Sequence, residues 1–166
     1  LLLYIALGVN RRFDEIPQSV SGFSFPLREP VVLADKLRDR LPVHIYNQDH
    51  TMAPEGKNSI IIMLESDIEY WKELAKDRNI YVQKKDEVAG LIISLLEQRF
   101  PGIAGQVEVV DVATPLTFER FTGNWKGSFE GWLITPDNAY TLTKPMKQTV
   151  PGLKNFYMCG QWVEPG

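Results

Sequence analysis

The sequence is poor in the residues that most often reveal a function by themselves. It holds one cysteine, Cys159, and two histidines, His44 and His50, among 166 residues. A single cysteine excludes an internal disulfide and indicates a reducing compartment, which we take to be the cytoplasm. The two histidines do not match a common zinc spacing. Neither a disulfide framework nor a metal site is therefore expected.

Long apolar runs and an excess of one charge are also missing. The run from Leu1 to Val9 is about half of the roughly 20 residues that a membrane-spanning helix needs, and no basic leader precedes it. The 18 basic and 21 acidic residues give a formal charge of -3, which offers no electrostatic surface for nucleic acid. No serine stands in a Gly-x-Ser-x-Gly sequence, which argues against an α/β-hydrolase.

What the sequence does hold is the patterning of an α+β fold. Apolar or alternating runs predict strands at 1–9, 43–47, 59–64 and 106–113, and a structured loop joins the second and third of these as antiparallel neighbours. The spacing of Ser66 and Glu69 predicts a capped helix of about three turns that ends near Asn79. An apolar stripe predicts a second helix over 84–100. We expect a mixed, mainly antiparallel sheet with helices on one face.

Two stretches leave alternatives open. Prolines 17, 26 and 30 break the region before residue 31, so only a short strand at 21–25 is predicted there. In the next stretch, Leu33, Leu37 and Leu41 keep a helical spacing, whereas the run from Val31 to Leu33 suits a strand.

The closing stretch joins a short apolar run to a glycine. Residues 156–160 predict a buried strand after the turn at Pro151-Gly152, with a buried, unreactive thiol at Cys159. Gly160 stands where a strand end allows a ligand to approach the backbone. Both ends of the sequence have the character of interior cuts, so we expect a piece of a longer chain.

Three motifs in order resemble one known family. They are Ala53-Pro54-Glu55-Gly56-Lys57 before a strand; 111–117 with Arg120-Phe121 and the glycines from Gly127 to Gly131; and 152–162 followed by Pro165-Gly166. The sequence is similar in these motifs to the phytoene desaturase, carotenoid isomerase and retinol saturase-like group of FAD-dependent oxidoreductases. The resemblance covers most of the chain from about Val43 onward.

The resemblance implies a fragment of an FAD-dependent oxidoreductase that acts on an apolar, isoprenoid or polyene-like substrate. The implied reaction is desaturation, saturation or isomerisation of carbon–carbon double bonds. Residues 1–150 would be a portion of the substrate domain, and 151–166 the start of a truncated C-terminal FAD-binding segment, with a strand from a Rossmann-type domain. The implied cofactor-binding residues are Gly160, Gln161, Trp162, Pro165 and Gly166.

The family's Gly-x-Gly-x-x-Gly turn, which holds the FAD pyrophosphate at a helix N-terminus, does not occur in this sequence. We therefore expect the fragment alone to retain no FAD and to be inactive. No side chain stands out as a catalytic acid or base, so the catalytic residues are left unassigned.

A cluster of aromatic residues among glycines is the candidate substrate wall, although aromatic-rich segments are more often ordinary core. Arg120 within it is expected to face either the flavin or a surface carboxylate. The alternative is a non-catalytic, stand-alone binding or interaction module. Peripheral membrane contact and self-association of the fragment are kept as further expectations. The candidate wall residues are Phe118, Phe121, Trp125, Phe129 and Trp132.

Overall fold

The protein divides into two compact units, residues 1–127 and 128–166. The structure, a computed structural model, describes residues 1–17, 19–20, 22–49, 51–131, 134–143 and 147–163. All strands and α-helices of the described residues belong to the first unit. None of these helices is long and apolar enough to cross a membrane.

The first unit is built on an antiparallel sheet of five strands. The strands follow the order β2-β3-β4-β1-β5, and every neighbouring pair is antiparallel. The α+β class is confirmed, but the expectation of a mixed sheet is wrong, because the described strands form no parallel pair. The strands are β1 Leu2–Val9, β2 Gly22–Leu33, β3 Lys36–Ile45, β4 Asn58–Glu65 and β5 Val107–Ala113.

The hairpin of β2 and β3 is longer than the sequence predicts. Residues 31–41, for which a helix and a strand were both open, form the turn end of this hairpin, and Ala34 adopts a positive φ of 58° in the turn. Pro26 and Pro30 are tolerated because β2 lies at the edge of the sheet, and the register shifts between Pro26 and Val31. The position of the strand in the sheet therefore decides its length.

Helix α1 spans Ile68–Leu74 and is shorter than predicted. Its cap is Asp67, whose side chain accepts a hydrogen bond from the Glu69 amide. Ser66, the expected cap, instead donates to the Asp35 carboxylate and accepts a 2.8 Å hydrogen bond from the Trp71 indole. The serine thus anchors a buried tryptophan rather than a helix end.

Helix α2 spans Arg78–Arg99 and starts well before residue 84. The side chain of Asp77 accepts hydrogen bonds from the amides of Asn79 and Ile80, which fixes this earlier start. Asn79, expected to end the preceding helix, is instead near the beginning of α2. The first turns escaped the sequence pattern because their apolar side chains, Ile80 and Val82, are exposed.

Helix α3 spans Pro115–Thr122 and was not predicted. Pro115 occupies the first turn, where its missing N–H costs nothing, and Thr114 and Thr117 form a reciprocal capping box. Gly123 ends the helix in the left-handed conformation at a φ of 69°. The sequence signals for the start and the end of this helix were present, but the segment was interpreted by its aromatic content and no helix was predicted.

The core lies between α2 and one face of the sheet, which we call the covered face. Side chains from β1, β3, β4 and α2 meet there and are almost fully buried. Because side chains alternate along a strand, only every second residue of each strand enters this core. Its members include Leu3, Ile5, Leu7, Val43, Ile45, Ile60, Ile62, Val88, Ile92 and Leu96.

Candidate functional site

The opposite face of the sheet, which we call the second face, carries small, aromatic and polar side chains. It is formed by the residues that alternate with the core residues along each strand. Most of them are half-buried, whereas Ile61 is buried and Val109 is 61% exposed. The second face comprises Tyr4, Ala6, Gly8, His44, Tyr46, Ser59, Ile61, Met63, Val109, Asp111 and Ala113.

Small residues keep the middle of the second face low. Ala6 and Gly8 of β1 project almost no side chain, and a Cβ added to Gly8 would lie 3.2 Å from the Val109 Cβ. Larger side chains flank this low strip, since Tyr4 and Met63 lie opposite each other on β1 and β4. The arrangement leaves a shallow surface with an apolar base and an aromatic border.

The polar groups of the second face do not form an acid–base pair. Burial raises the pKa of the Tyr4 phenol above its ordinary value of 10.0, and the nearby Tyr46 phenol and Asp111 carboxylate raise it further. Tyr4 is therefore protonated at neutral pH and can orient a ligand by hydrogen bonding. The face is suited to hold an apolar molecule rather than to move a proton.

The candidate aromatic wall is only partly assembled in the first unit. Phe121 on α3 and Trp125 in the short 3-10 helix Trp125–Gly127 are 76% and 77% exposed, and Phe118 is half-buried. Phe129 belongs to the second unit, and Trp132 lies outside the described residues. The tunnel formed by these five residues stays a prediction.

Arg120 does not form the surface ion pair that was one of its two expected roles, and the other, facing the flavin, stays a prediction. Its guanidinium lies 5.3 Å from the centre of the Phe121 ring. It makes no ion pair with a carboxylate of the described residues. Arg120 is therefore an exposed cation on α3, held against an aromatic ring.

The second unit brings two of the family-like motifs together. The Gln161 side chain donates a 3.1 Å hydrogen bond to the Phe129 carbonyl. A Cβ added to Gly131 would lie 2.2 Å from the Gln161 carbonyl oxygen, so only glycine fits there. The sequence singled out Gln161 and Phe129 but not the contact that Gly131 permits. The available signal for this contact was the regular spacing of Gly131 after Gly127.

The expected strand at 156–160 is not formed. Tyr157 makes a single bridge to Thr149, the Met158 amide donates to the Gln148 carbonyl, and no ladder continues from them in the described residues. An apolar run needs neighbouring strands to complete its hydrogen bonds, and the described residues place no strand in a ladder with this segment. Cys159 is accordingly exposed rather than buried, which corrects the second expectation for this run.

The described residues do not form a flavin site by themselves. Gly160 has a φ of 96°, and Gln161 and Trp162 follow it in a turn rather than at the start of a helix. Pro165 and Gly166 lie outside the described residues. A dinucleotide site needs a helix N-terminus for the pyrophosphate, and no described helix follows this glycine. The turn can supply one edge of such a site at most.

Sequence comparisons agree with the family resemblance. No family model matches the chain. A segment of 82 residues, 49% of the chain, is 37% identical to the prolycopene isomerase of Arabidopsis thaliana. Over the same length it is 38% identical to prolycopene isomerase 2 of an Oncidium hybrid cultivar and 35% identical to the enzyme of Daucus carota. Half of this chain is related to the prolycopene isomerases.

The family resemblance read from the motifs is thereby confirmed for that half of the chain. The matched segment spans only 13% to 14% of the length of these prolycopene isomerases. The names of the relatives describe them as chloroplastic proteins. Their activity belongs to chains several times longer than the matched segment, so for this protein it is a matter of proposal.

The second face is the feature that sequence reasoning missed. Its signal was present in the first strand, where Tyr4, Ala6 and Gly8 alternate with Leu3, Ile5 and Leu7. The difference in size between the two sides of this strand is not visible as a difference in hydropathy, because alanine and glycine count as neutral or apolar. Small residues on one side only are typical of a sheet face that something else approaches closely.

Proposed function

We propose that this chain is part of an FAD-dependent oxidoreductase that isomerises carbon–carbon double bonds in an apolar, polyene-like isoprenoid. The observation that carries the proposal is the match of half the chain to curated prolycopene isomerases. Of the three reactions open to the family, isomerisation is favoured because each of these relatives is named for it. Desaturation and saturation are set aside on that ground.

The second face supports this proposal as a wall for the substrate. A polyene offers dispersion and surface burial but few hydrogen bonds, so its site needs a low, apolar surface. Ala6 and Gly8 provide that surface, and Tyr4 and Met63 border it. The chain's own contribution is then to orient the substrate and exclude water, and no described residue is assigned a proton-transfer step.

FAD is proposed for the whole protein and not for the described residues alone. When bound, the flavin would supply the electron chemistry that makes a double bond rotate. The turn at Gly160 with Gln161 and Trp162 would then border a Rossmann-type domain contributed by the rest of the protein. Pro165 and Gly166 belong to the same proposal. The same proposal includes the division of the chain into a substrate-domain portion at 1–150 and a FAD-binding segment at 151–166.

Three further expectations stay predictions. Cytoplasmic location rests on the single cysteine, whereas the prolycopene isomerases matched are named as chloroplastic proteins. Peripheral membrane contact follows from the apolar substrate, which would partition into lipid. Self-association is expected from the outer edge of β5, where Val109 and Val110 are 61% and 46% exposed.

The test uses the full-length protein that contains this chain. Purified protein should carry FAD and convert prolycopene to other geometric isomers, which chromatography separates. Ala6→Leu should fill the low strip and reduce conversion about tenfold while the flavin is retained. The matched control is Ala104→Leu, at an exposed alanine outside the sheet, which should leave conversion unchanged.

Two results would contradict different parts of the proposal. Full-length protein without flavin and without conversion would favour the non-catalytic binding module instead. Equal conversion by the Ala6→Leu and Ala104→Leu variants would be consistent with the proposed enzyme activity but would contradict the second face as its substrate wall.

A further inference from the structure

A groove of about 490 Å³ lies between α2 and α3, with the end of β5 in its wall. Its volume is in the range of small-molecule sites. The groove belongs entirely to the first unit and involves none of the residues of the second face except Asp111. The groove therefore shares Asp111 with the second face and Phe121 with the candidate aromatic wall, and its other lining residues belong to neither.

Three cations line the groove without carboxylate partners. Arg78 and Lys85 come from α2 and Arg120 from α3, and none of them forms an ion pair within the described residues. The neighbouring Lys84 on α2, by contrast, pairs with Glu87 at 2.7 Å. Asp111 is the one carboxylate among the lining residues of the groove, against these three cations. In a chain with a formal charge of -3, this local excess of positive charge favours an anion.

Part of the remaining lining is apolar, beside the polar residues Tyr81, Thr117 and Asp111. Val82 of α2 and Phe121 of α3 are 43% and 76% exposed, and Leu116 is half-buried between them and the sheet. Exposed aliphatic and aromatic side chains next to cations form an amphipathic surface. Such a surface suits a molecule that has both a charged group and an apolar chain.

The two walls of the groove are tied together. The Tyr81 hydroxyl of α2 and the hydroxyl of Thr114, the cap of α3, are 2.7 Å apart, and Thr114 is fully buried. Lys85 lies 5.8 Å from the centre of the Tyr81 ring, as Arg120 does at 5.3 Å from that of Phe121. Two of the three cations, Lys85 and Arg120, are thus positioned by aromatic rings before any ligand arrives.

We propose that this groove binds an amphipathic anion, with the phosphate or carboxylate headgroup held by Arg78, Lys85 and Arg120 and the apolar chain against Val82, Leu116 and Phe121. Charge-assisted hydrogen bonds from arginine and lysine hold the headgroup. Burial of the chain against the three apolar residues contributes the remaining affinity. The inference goes beyond the proposed function, since a polyene hydrocarbon carries no headgroup.

Calorimetric titration of the 166-residue chain with dodecyl phosphate monomers tests the proposal. Inorganic phosphate lacks the apolar chain and dodecanol lacks the charge, so each should bind at least about tenfold more weakly than dodecyl phosphate. A second arm measures sedimentation with phosphatidylcholine vesicles, with and without phosphatidylglycerol. Binding of the monomer identifies a free amphiphile as the source, and retention only on the anionic vesicles identifies a bilayer lipid.

The variants separate this groove from general charge effects. Arg120→Gln and Phe121→Ser should each weaken binding about fivefold. Arg99→Gln is the matched control, because Arg99 is also on a helix, exposed and held 5.2 Å from an aromatic ring centre, but outside the groove. The proposal is overturned if Arg120→Gln binds like Arg99→Gln, if dodecanol binds as tightly as dodecyl phosphate, or if neither monomers nor anionic vesicles bind.

Discussion

The two faces of the five-stranded sheet differ in the size and polarity of their side chains. The covered face presents Ile5, Leu7 and Ile62, each with at most 1% of its surface exposed, to the apolar side of α2. The second face presents Tyr4 and Ala6 from the same strand, half-buried and mixed with polar groups. One strand therefore serves two surfaces, and the alternation of its side chains keeps them apart.

The contrast between the two faces indicates that the covered face provides stability and that the second face serves recognition. Apolar side chains packed at crystal-like density give the covered face most of the folding free energy. Small residues on the second face contribute little burial, so their placement is explained better by a ligand or another surface than by folding. Substitutions on the two faces should accordingly have different consequences.

The largest effect is expected for Ile62→Ala on the covered face. Removing a fully buried isoleucine leaves a cavity and should lower the free energy of unfolding by about 3 kcal/mol. Met63→Ala is the matched variant on the second face, one residue along the same strand, and should cost less than about 1 kcal/mol. Urea unfolding followed by circular dichroism measures both. Equal losses would show that the second face is packed as well as the covered one.

A smaller loss is expected for Asp35→Ala, which tests the polar anchor under α1. The Asp35 carboxylate accepts hydrogen bonds from the Ser66 hydroxyl and from the Asp67 amide, and Ser66 is 1% exposed. Leaving the buried hydroxyl without this acceptor should cost about 1.5 kcal/mol. Asp39→Ala, at an exposed aspartate of β3, should change stability by less than about 0.5 kcal/mol. Indistinguishable melting curves would mean that packing alone holds Trp71.

The smallest effect concerns pH and α2, the helix that packs on the covered face. Hydrogen bonds from the amides of Ala104 and Gly102 lower the pKa of Glu97 below its ordinary value of 4.5. A carboxyl group with a lowered folded pKa stabilises the protein above the ordinary value and loses that contribution as pH falls through the folded value. Glu97→Gln should therefore unfold at slightly lower urea than the wild type at pH 7.

This difference should close as the pH falls through the folded pKa of Glu97, which lies below the ordinary value of 4.5. The control is Glu55→Gln, at an exposed glutamate in the loop before β4. A gap between wild type and Glu97→Gln that persists in acid would show that the side chain acts through its shape and not through its charge.

The fold was predictable where one strong local pattern coincided with burial. The strands at 1–9, 59–64 and 106–113 were confirmed, as was the central part of α2. The long hairpin was not, because the prolines of β2 are acceptable only in an edge strand and the sequence does not say which strand lies at an edge. The early start of α2 depended on a single capping aspartate, Asp77.

The candidate site was less predictable than the fold. The closing motif at Gly160 was one of three motifs that carried the family resemblance, but the strand expected there did not form, because strand formation depends on neighbours that lie outside this stretch. The substrate wall predicted from the aromatic cluster stays a prediction, and Phe121 and Trp125 are among the exposed aromatic residues of the first unit. The cation-lined groove joins residues more than thirty positions apart, Arg78 and Arg120 among them, which spacing along the chain cannot reveal.

By itself, the sequence determined the family resemblance and the α+β composition, because motifs and local periodicity are properties of the order of residues along the chain. The tertiary structure alone decided that the sheet is wholly antiparallel and which strand lies at its edge. It also decided which side of β1 faces α2 and that α2 and α3 enclose a groove. These features depend on contacts between distant segments, and local patterns carry no record of such contacts.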